Sequence, residues 1–202
     1  MGRLDEAIQQ TGNRFLNLYE FKVTRKNGSQ GSYYVASRAE EAARLKAVTH
    51  ENRPDGVIIY AVTEDASKVL LVRQYRYPLN DFVYELPAGL CDGDESHREA
   101  AVREIHEETG MRLVPLDVNP AYEKPRYSSV GMTDESCAIV FGHVFGELSQ
   151  KFMEDTEEIE PILADREEVR RILREERVAM PCAYHIERFL TDADPFAYLS
   201  QL

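Results

Sequence analysis

Residues 89–111 read GLCDGDESHREAAVREIHEETGM, and the fold is read outward from this stretch. Ser96-His-Arg-Glu99 is a capping box, in which the serine side chain accepts from the backbone three residues on and the glutamate reaches back. Gly110 supplies the left-handed conformation that commonly ends a helix. A helix between them advances by about 100° per residue. Glu104, Glu107 and Glu108 therefore share one face, at i, i+3 and i+4. Val102, Ile105 and Thr109 are expected to point the other way, into a core. Like charges so spaced repel by a few tenths of a kcal/mol per isolated pair, as an order of magnitude. By spacing alone the face is either a solvated acidic surface or a place where hard divalent cations offset the charge through oxygen ligands. Arg103 stands beside the cluster, placed to neutralise or orient one carboxylate. Ahead of the helix, Pro87-Ala88-Gly89 makes a tight approach that turns a backbone carbonyl toward the same site.

On the N-terminal side, GVIIYAV (56–62) and KVLLVRQYR (68–76) are apolar, β-branched runs joined by Glu64-Asp65-Ala66-Ser67, the pattern of a hairpin. Residues 81–88 read as another short strand. Pro54-Asp55-Gly56 is a break, and it divides an N-terminal strand extension (1–54) from the main domain (55–202). Within the extension, residues 17–36 read as two strands around a glycine-containing turn. Ser37-Arg-Ala-Glu40 resembles another capping box, opening a short helix that runs to Lys46. On the C-terminal side, strands are expected near 116–123 and 137–147. Helices follow, one opened by Asp165-Arg-Glu-Glu168 and one by Pro181, the latter with Ala183, Ile186, Phe189 and Leu190 on one face. This order implies an α/β (α+β) fold, a mixed sheet with helices packed on it.

The 202 residues carry a net charge of -12, which disfavours nucleic acid or an anionic membrane as a partner through a basic face. No apolar run reaches membrane-spanning length, and the first fifteen residues hold no apolar signal core. Cys91, Cys137 and Cys182 are scattered and odd in number, giving neither a disulfide framework nor zinc spacing. A reducing, cytoplasmic setting is the simplest reading. An acidic protein still binds a phosphate substrate when metal cations stand between the two sets of negative charge.

The full pattern around the helix adds a resemblance. Gly89, Glu95, Arg103, Glu104, Ile105, Glu107, Glu108, Gly110 and Met111 match the Nudix box: Gly, five residues, Glu, seven residues, Arg-Glu, an aliphatic, any residue, Glu-Glu, any residue, Gly, and an aliphatic or similar residue. At about one chance in ten per fixed identity, accidental agreement over all frames is on the order of 10⁻⁵. The resemblance implies an α/β/α sandwich with a mixed sheet. It also implies hydrolysis of a nucleoside diphosphate linked to another group, with Mg²⁺ or Mn²⁺ as cofactor. The implied metal ligands are Glu104, Glu108 and the backbone carbonyl of Ala88. Glu107 is the supporting box glutamate, and Arg103 joins it in the catalytic set.

From Tyr19 to Leu190 the chain looks like the ADP-ribose pyrophosphatase branch of that family. The marks are the N-terminal strand pair, a strand ending in Leu71-Val-Arg-Gln-Tyr-Arg76, and Glu85-Leu-Pro-Ala-Gly89 leading into the box. Arg73 and Arg76 are candidates for contact with a phosphate or sugar, against the plainer reading of exposed strand arginines. Glu85 holds a ribose hydroxyl or an arginine, or caps a strand end. Ser128-Ser-Val-Gly-Met-Thr-Asp-Glu135 resembles a substrate loop, with Gly131 and Glu135 as candidate contacts; Val130 replaces the branch's marker proline. Phe152–Glu160 resembles a loop that carries a further carboxylate, with Glu157 matching the metal-binding or catalytic glutamate and Asp155 less securely matched. The implied reaction splits ADP-ribose, or a similar nucleoside diphosphate sugar, into a nucleoside monophosphate and a sugar phosphate. Relatives of this branch commonly form homodimers through N-terminal residues. The rival readings are a pyrophosphohydrolase of GDP- or UDP-sugars or of oxidised nucleotides, and a non-catalytic nucleotide-sugar sensor.

Overall fold

The computed structural model describes residues 1–153 and 158–202. In chain order the strands and helices begin with β1 (Arg3–Gln9), β2 (Asn17–Thr24), β3 (Gln30–Ser37) and α1 (Lys46–Thr49). The central elements are β4 (Gly56–Thr63), β5 (Val69–Arg76), β6 (Asp81–Glu85), β7 (Ala88–Leu90), α2 (His97–Thr109), β8 (Arg112–Pro115) and α3 (Pro120–Glu123). Then follow β9 (Arg126–Tyr127), β10 (Ser136–Phe145), β11 (Ile159–Ala164), α4 (Arg166–Glu175) and α5 (Met180–Thr191). The chain forms two units, one of residues 1–55 with 125–137, the other of 56–124 with 138–202.

In the larger unit the apolar runs of β4 and β5 are buried on both sides, which explains why they read as continuous rather than alternating. Successive strand residues face opposite ways. Val57, Ile59 and Ala61 of β4, Leu70 of β5, and Val140 and Val144 of β10 pack with Ala100, Ala101 and Ile105 of α2. Tyr60, Val62, Val69, Leu71 and Phe141 face the other way, onto Val169 and Ile172 of α4 and Cys182, Ile186 and Phe189 of α5. Each fully buried aliphatic of this kind contributes roughly 1.5–3 kcal/mol. The result is the expected α/β/α sandwich, its main sheet ordered β11-β5-β4-β10-β8 with β6 on β5 and β7 on β4.

In the smaller unit β1, β2 and β3 form an antiparallel sheet with Phe21 opposite both Ala7 and Tyr33. Tyr19 is fully buried there and its hydroxyl donates to the Ala39 carbonyl. Residues 125–137 belong to the same unit: the Ala36 amide donates to the Met132 carbonyl, and Lys46 Nζ bonds both Asp55 and the Ser136 hydroxyl.

Several expectations are corrected. No strand covers 116–123; β8 ends at Pro115, and residues 120–123 are helical because Asn119 caps the Ala121 amide with Pro120 in the first turn. Ser37 caps no helix. Its hydroxyl accepts from the Ala39 amide, the local bond that competes with helix formation, and the chain makes a 3₁₀ turn at Ala42–Arg44 before α1. Val102 is 40% exposed, because the buried arc of α2 centres on Ala101, Ile105 and Glu108 and leaves it on the margin. Residues 81–88 are split, with β6 and β7 separated at Leu86-Pro87, where the Pro87 carbonyl accepts from the Ile59 amide. The reading of 152–160 as a single loop gives way at its end to β11, a strand of the β5 ladder that tolerates Pro161. Strand β1 is an addition to the strand pair read at 17–36. Among the described residues, no helix is long and apolar enough to cross a membrane.

Candidate active site

Helix α2 is set at both ends by the signals its sequence carries. The Ser96 hydroxyl accepts from the Glu99 amide, and the Glu99 carboxylate accepts from the Ser96 amide, completing the capping box. At the other end Gly110 has φ of 71° and its amide donates to the His106 carbonyl. One face of the helix lies in the sandwich core, and β7 lies against it.

The three glutamates are graded by depth rather than equally solvated. The side chain of Glu107 is 46% exposed and that of Glu104 15%, while Glu108 is 3% exposed as a residue. A buried carboxylate is costly unless its charge is compensated, so a plain acidic surface does not describe Glu108. Arg103 organises the rest. Its Nε and Nη2 grip both oxygens of Glu95 at 3.1 and 3.0 Å, a charge-assisted fork. Its Nη1 donates to Glu104 and Glu107 at 2.8 and 2.9 Å, and Nη2 also reaches the Leu90 carbonyl at 3.0 Å. Hydrogen bonding, first to Glu95, raises the Arg103 pKa further. The same bonds hold the Glu95 carboxyl below the usual range.

Glycine is required just before the helix for a steric reason. A Cβ on Gly89 would lie 1.8 Å from Glu104 Oε1, so the Ala88-Gly89 backbone runs directly against that carboxylate. This close cradle of carboxylate oxygens and backbone suits a hard cation such as Mg²⁺ or Mn²⁺, which takes oxygen ligands. Side chains alone do not complete such a site: among the described residues, no three His, Cys, Asp or Glu side chains are grouped for a metal. The expected set, Glu104 and Glu108 with the Ala88 carbonyl, contains only two.

The structure thus brings Ala88, Arg103, Glu104, Glu107 and Glu108 together along α2 and β7. A second group lies on β5 and β6. Arg76 forms a bidentate pair with Glu85 at 2.8 and 2.7 Å, so Glu85 does hold an arginine. Arg73 bonds Glu160 at 3.0 Å and stacks over the Phe82 ring at 4.0 Å. Tyr75 packs edge-on against both Tyr77 and Phe82. Gly131 and Glu135 belong to the smaller unit, where the Gly131 carbonyl accepts from the Tyr33 hydroxyl and Glu135 pairs with Arg38 at 3.1 Å. Glu157 and Asp155 lie outside the described residues. His97 lies 3.4 Å from the buried Glu123, which also accepts from Arg98 at 2.9 Å. The role of Glu95 as anchor of Arg103 was not assigned from sequence, although its place in the box pattern is a usable signal. The packing of the His106 ring on Phe152, centroids 4.3 Å apart, has no sequence signal.

With this geometry in view, the comparisons with known proteins are specific. Residues 52–181 match the model of the NUDIX domain. An ADP-ribose pyrophosphatase of Bacillus subtilis is 31% identical over 123 residues, covering 61% of this chain and 62% of that protein. A methanol dehydrogenase activator of Bacillus methanolicus is 30% identical over 142 residues, covering 68% of this chain and 71% of that protein. The chain spans only 54% to 62% of the length of three curated relatives that it matches, the Bacillus subtilis protein among them. The crystal structure of an ADP compounds hydrolase superposes with a TM-score of 0.62 at 18% identity, over 86% of this chain and 83% of that one, which shows a shared fold. With its box complete in sequence and assembled on a capped helix against the β7 turn, the chain belongs to the NUDIX family.

Proposed function

We propose that this protein hydrolyses the diphosphate linkage of ADP-ribose or a related nucleoside diphosphate sugar, releasing a nucleoside monophosphate and a sugar phosphate. The observation that carries the reading is the graded glutamate face of α2, organised by Arg103 and pressed against the Ala88-Gly89 backbone. Glu104, Glu108 and the Ala88 carbonyl would hold Mg²⁺ or Mn²⁺. When bound, the ion offsets diphosphate charge and makes a coordinated water more acidic. Arg103 keeps Glu104 and Glu107 oriented, and Glu157 is the proposed proton acceptor. Arg73, Arg76, Glu85, Gly131 and Glu135 are the proposed substrate contacts. The name of the Bacillus subtilis relative supports the ADP-ribose branch.

A second reading, the same diphosphate chemistry with a broader choice of terminal sugar, is favoured by Val130. Proline there would fix φ and narrow the loop; valine admits a wider range and with it a different pocket wall. One experiment separates the readings: purified protein with ADP-ribose, ADP-glucose, GDP-mannose and UDP-glucose under one metal condition, with and without chelator. ADP-ribose or another ADP-sugar is expected to give the highest kcat/KM, and chelator to abolish turnover until Mg²⁺ or Mn²⁺ is restored. Full activity in chelator would sink the mechanism. A GDP- or UDP-sugar ahead by about tenfold, roughly 1.4 kcal/mol of transition-state discrimination, would leave only the broader family chemistry.

The proposed location is cytoplasmic, and the proposed assembly is a homodimer in which the 1–54 extension takes part. Supporting it, Leu18 and Tyr34 are exposed on one face of the β2–β3 ribbon, apolar surface that a second copy would cover. Light scattering at working concentration is expected to read a dimer; a monomer removes the assembly.

A further inference from the structure

The smaller unit contains a polar knot that the chemistry of α2 does not use. Strands β9 and β10 pair at Tyr127–Ser136 and Arg126–Cys137, and the loop between them carries the proposed substrate contacts Gly131 and Glu135. Both β9 residues are exposed, and so short a ladder by itself fixes a loop weakly. Other bonds hold the loop. The Tyr33 hydroxyl donates to the Gly131 carbonyl at 2.7 Å, and the Ala36 amide to the Met132 carbonyl at 2.8 Å. The Glu135 carboxylate accepts from Arg38 Nε and Nη2 at 3.2 and 3.1 Å and from the Ser128 hydroxyl at 3.0 Å. The far end of the loop is held by Lys46. Ser136, which directly follows Glu135, has no exposed surface. Its hydroxyl accepts from Lys46 Nζ at 2.6 Å and donates to Asn52 Oδ1 at 2.7 Å. Its amide donates to the Asp55 carboxylate at 2.9 Å, and its carbonyl accepts from the Asp55 amide at 2.8 Å. Lys46 Nζ also pairs with the Asp55 carboxylate, and the Lys46 amide donates to Asp134 at 3.3 Å.

Stability does not account for this knot. The Lys46 side chain is 13% exposed and that of Asp55 21%. Taking a lysine and a carboxylate out of water costs about as much as their attraction returns, and well-packed apolar residues would serve the fold as well. What the knot adds over apolar packing is direction, because each hydrogen bond fixes an angle as well as a distance. We propose that Lys46 is a positioning residue for Glu135. It holds both neighbours of Glu135, Asp134 through its backbone amide and Ser136 through its ammonium group. The carboxylate between them is thereby presented in one orientation, beside Arg38. The consequence falls on the choice and grip of substrate, not on the attack at phosphorus. This inference rests on the proposed function, in which Glu135 contacts the substrate.

The test is a mutant cycle in the full chain with excess Mg²⁺, well below the thermal midpoint. Ser136→Ala removes only the hydroxyl link and leaves Lys46 paired with Asp55, so the fold is kept. Lys46→Met keeps an unbranched stem and removes the ammonium group. Each is expected to raise KM for the best substrate about tenfold with kcat within about twofold, the mark of lost binding that is equal in ground and transition states. The kcat/KM preference between ADP-ribose and ADP-glucose should shrink by about threefold in the same variants. Glu135→Gln should raise KM in the same way. Adding Ser136→Ala or Lys46→Met to Glu135→Gln should add nothing, because both act through Glu135. A Lys46 that serves only the fold would lower the folded fraction, and so the apparent kcat, and leave KM alone. Parent-like KM in Ser136→Ala or in Glu135→Gln, or losses that multiply in the double variants, would overturn the proposal. Should Lys46→Met fail to fold, Ser136→Ala and its combination with Glu135→Gln decide. If the parent protein hydrolyses no nucleoside diphosphate sugar, the functional reading fails by itself. Hydrogen exchange at the Ser128 amide, which donates to the Glu135 carbonyl, then still decides whether the knot orders the loop. It should quicken in Ser136→Ala; exchange equal to that of the parent overturns the positioning role as well.

Discussion

Glu108→Gln is expected to lower kcat by about 10²–10³, the usual cost of deleting one preorganised electrostatic group at a reacting centre. The thermal midpoint should hardly move. The substitution keeps the shape of the side chain, so the packing of α2 against β4 is undisturbed. It also removes a carboxylate that is 3% exposed, and burying an ionised group opposes folding. The charge that is lost is a ligand of the proposed metal, so activity falls while the midpoint stays. A loss of kcat without a matching loss of stability marks a functional carboxylate. Parallel losses in kcat and thermal midpoint would instead mean that Glu108 serves the fold, and the assignment of the metal site would fall with it. Glu107, far more exposed on the same face, should show a smaller stability change of either sign when treated the same way.

Gly89→Ala should be nearly as damaging, for a geometric reason. The new Cβ would sit 1.8 Å from Glu104 Oε1 and 1.9 Å from its Cδ. The glutamate is flexible and can swing away, so the fold survives, and an added Cβ also lowers the entropy of the unfolded chain. The swing, however, takes the carboxylate off the Ala88-Gly89 backbone and off Arg103 Nη1. A misplacement of about 1 Å at a reacting centre costs on the order of 10²-fold in rate. The expected result is a fall in kcat of about that size, a higher Mg²⁺ concentration for half-maximal activity, and a thermal midpoint close to the parent value. Gly12→Ala is the control, since no atom lies within 4 Å of the Cβ it would add. Parent-like turnover by Gly89→Ala would show that the Glu104 carboxylate is not needed where the structure holds it.

These two residues differ in how far they could be read in advance. Glu108 was legible as a candidate from helical spacing and from the box pattern. Its burial was not, since a 100° step says which side chains share a face but not how deeply that face sinks. Gly89 was legible as part of a tight approach. That its missing side chain makes room for Glu104, fifteen residues on, follows only once β7 is laid against α2. Arg103 stands between these cases. Its nearness to Glu104 and Glu107 is built into the helix, but the fork on Glu95 depends on how residues 91–95 turn before the capping box.

The sequence by itself determined what depends on near neighbours. The α2 caps at Ser96, Glu99 and Gly110, the glutamate face, the β4–β5 hairpin and the buried Ile186 and Phe189 of α5 all follow from periods of two or 3.6 residues and from local hydrogen bonds. It misled where two local signals competed. Ser37 bonded two residues ahead instead of capping a helix, and Asn119-Pro120 began a helical turn where a strand was expected. Only the tertiary structure decided what depends on residues distant along the chain. It joined 125–137 to the N-terminal unit through Ala36, Lys46 and Ser136. It paired Arg76 with Glu85 across adjacent strands. It also set Phe152 on His106, a contact between an exposed helix position and a loop that no periodicity announces. Such contacts arise because side-chain packing closes the loop at little entropic cost, which grows only as the logarithm of loop length. Their partners are therefore chosen by the shape of the folded surface rather than by spacing along the chain.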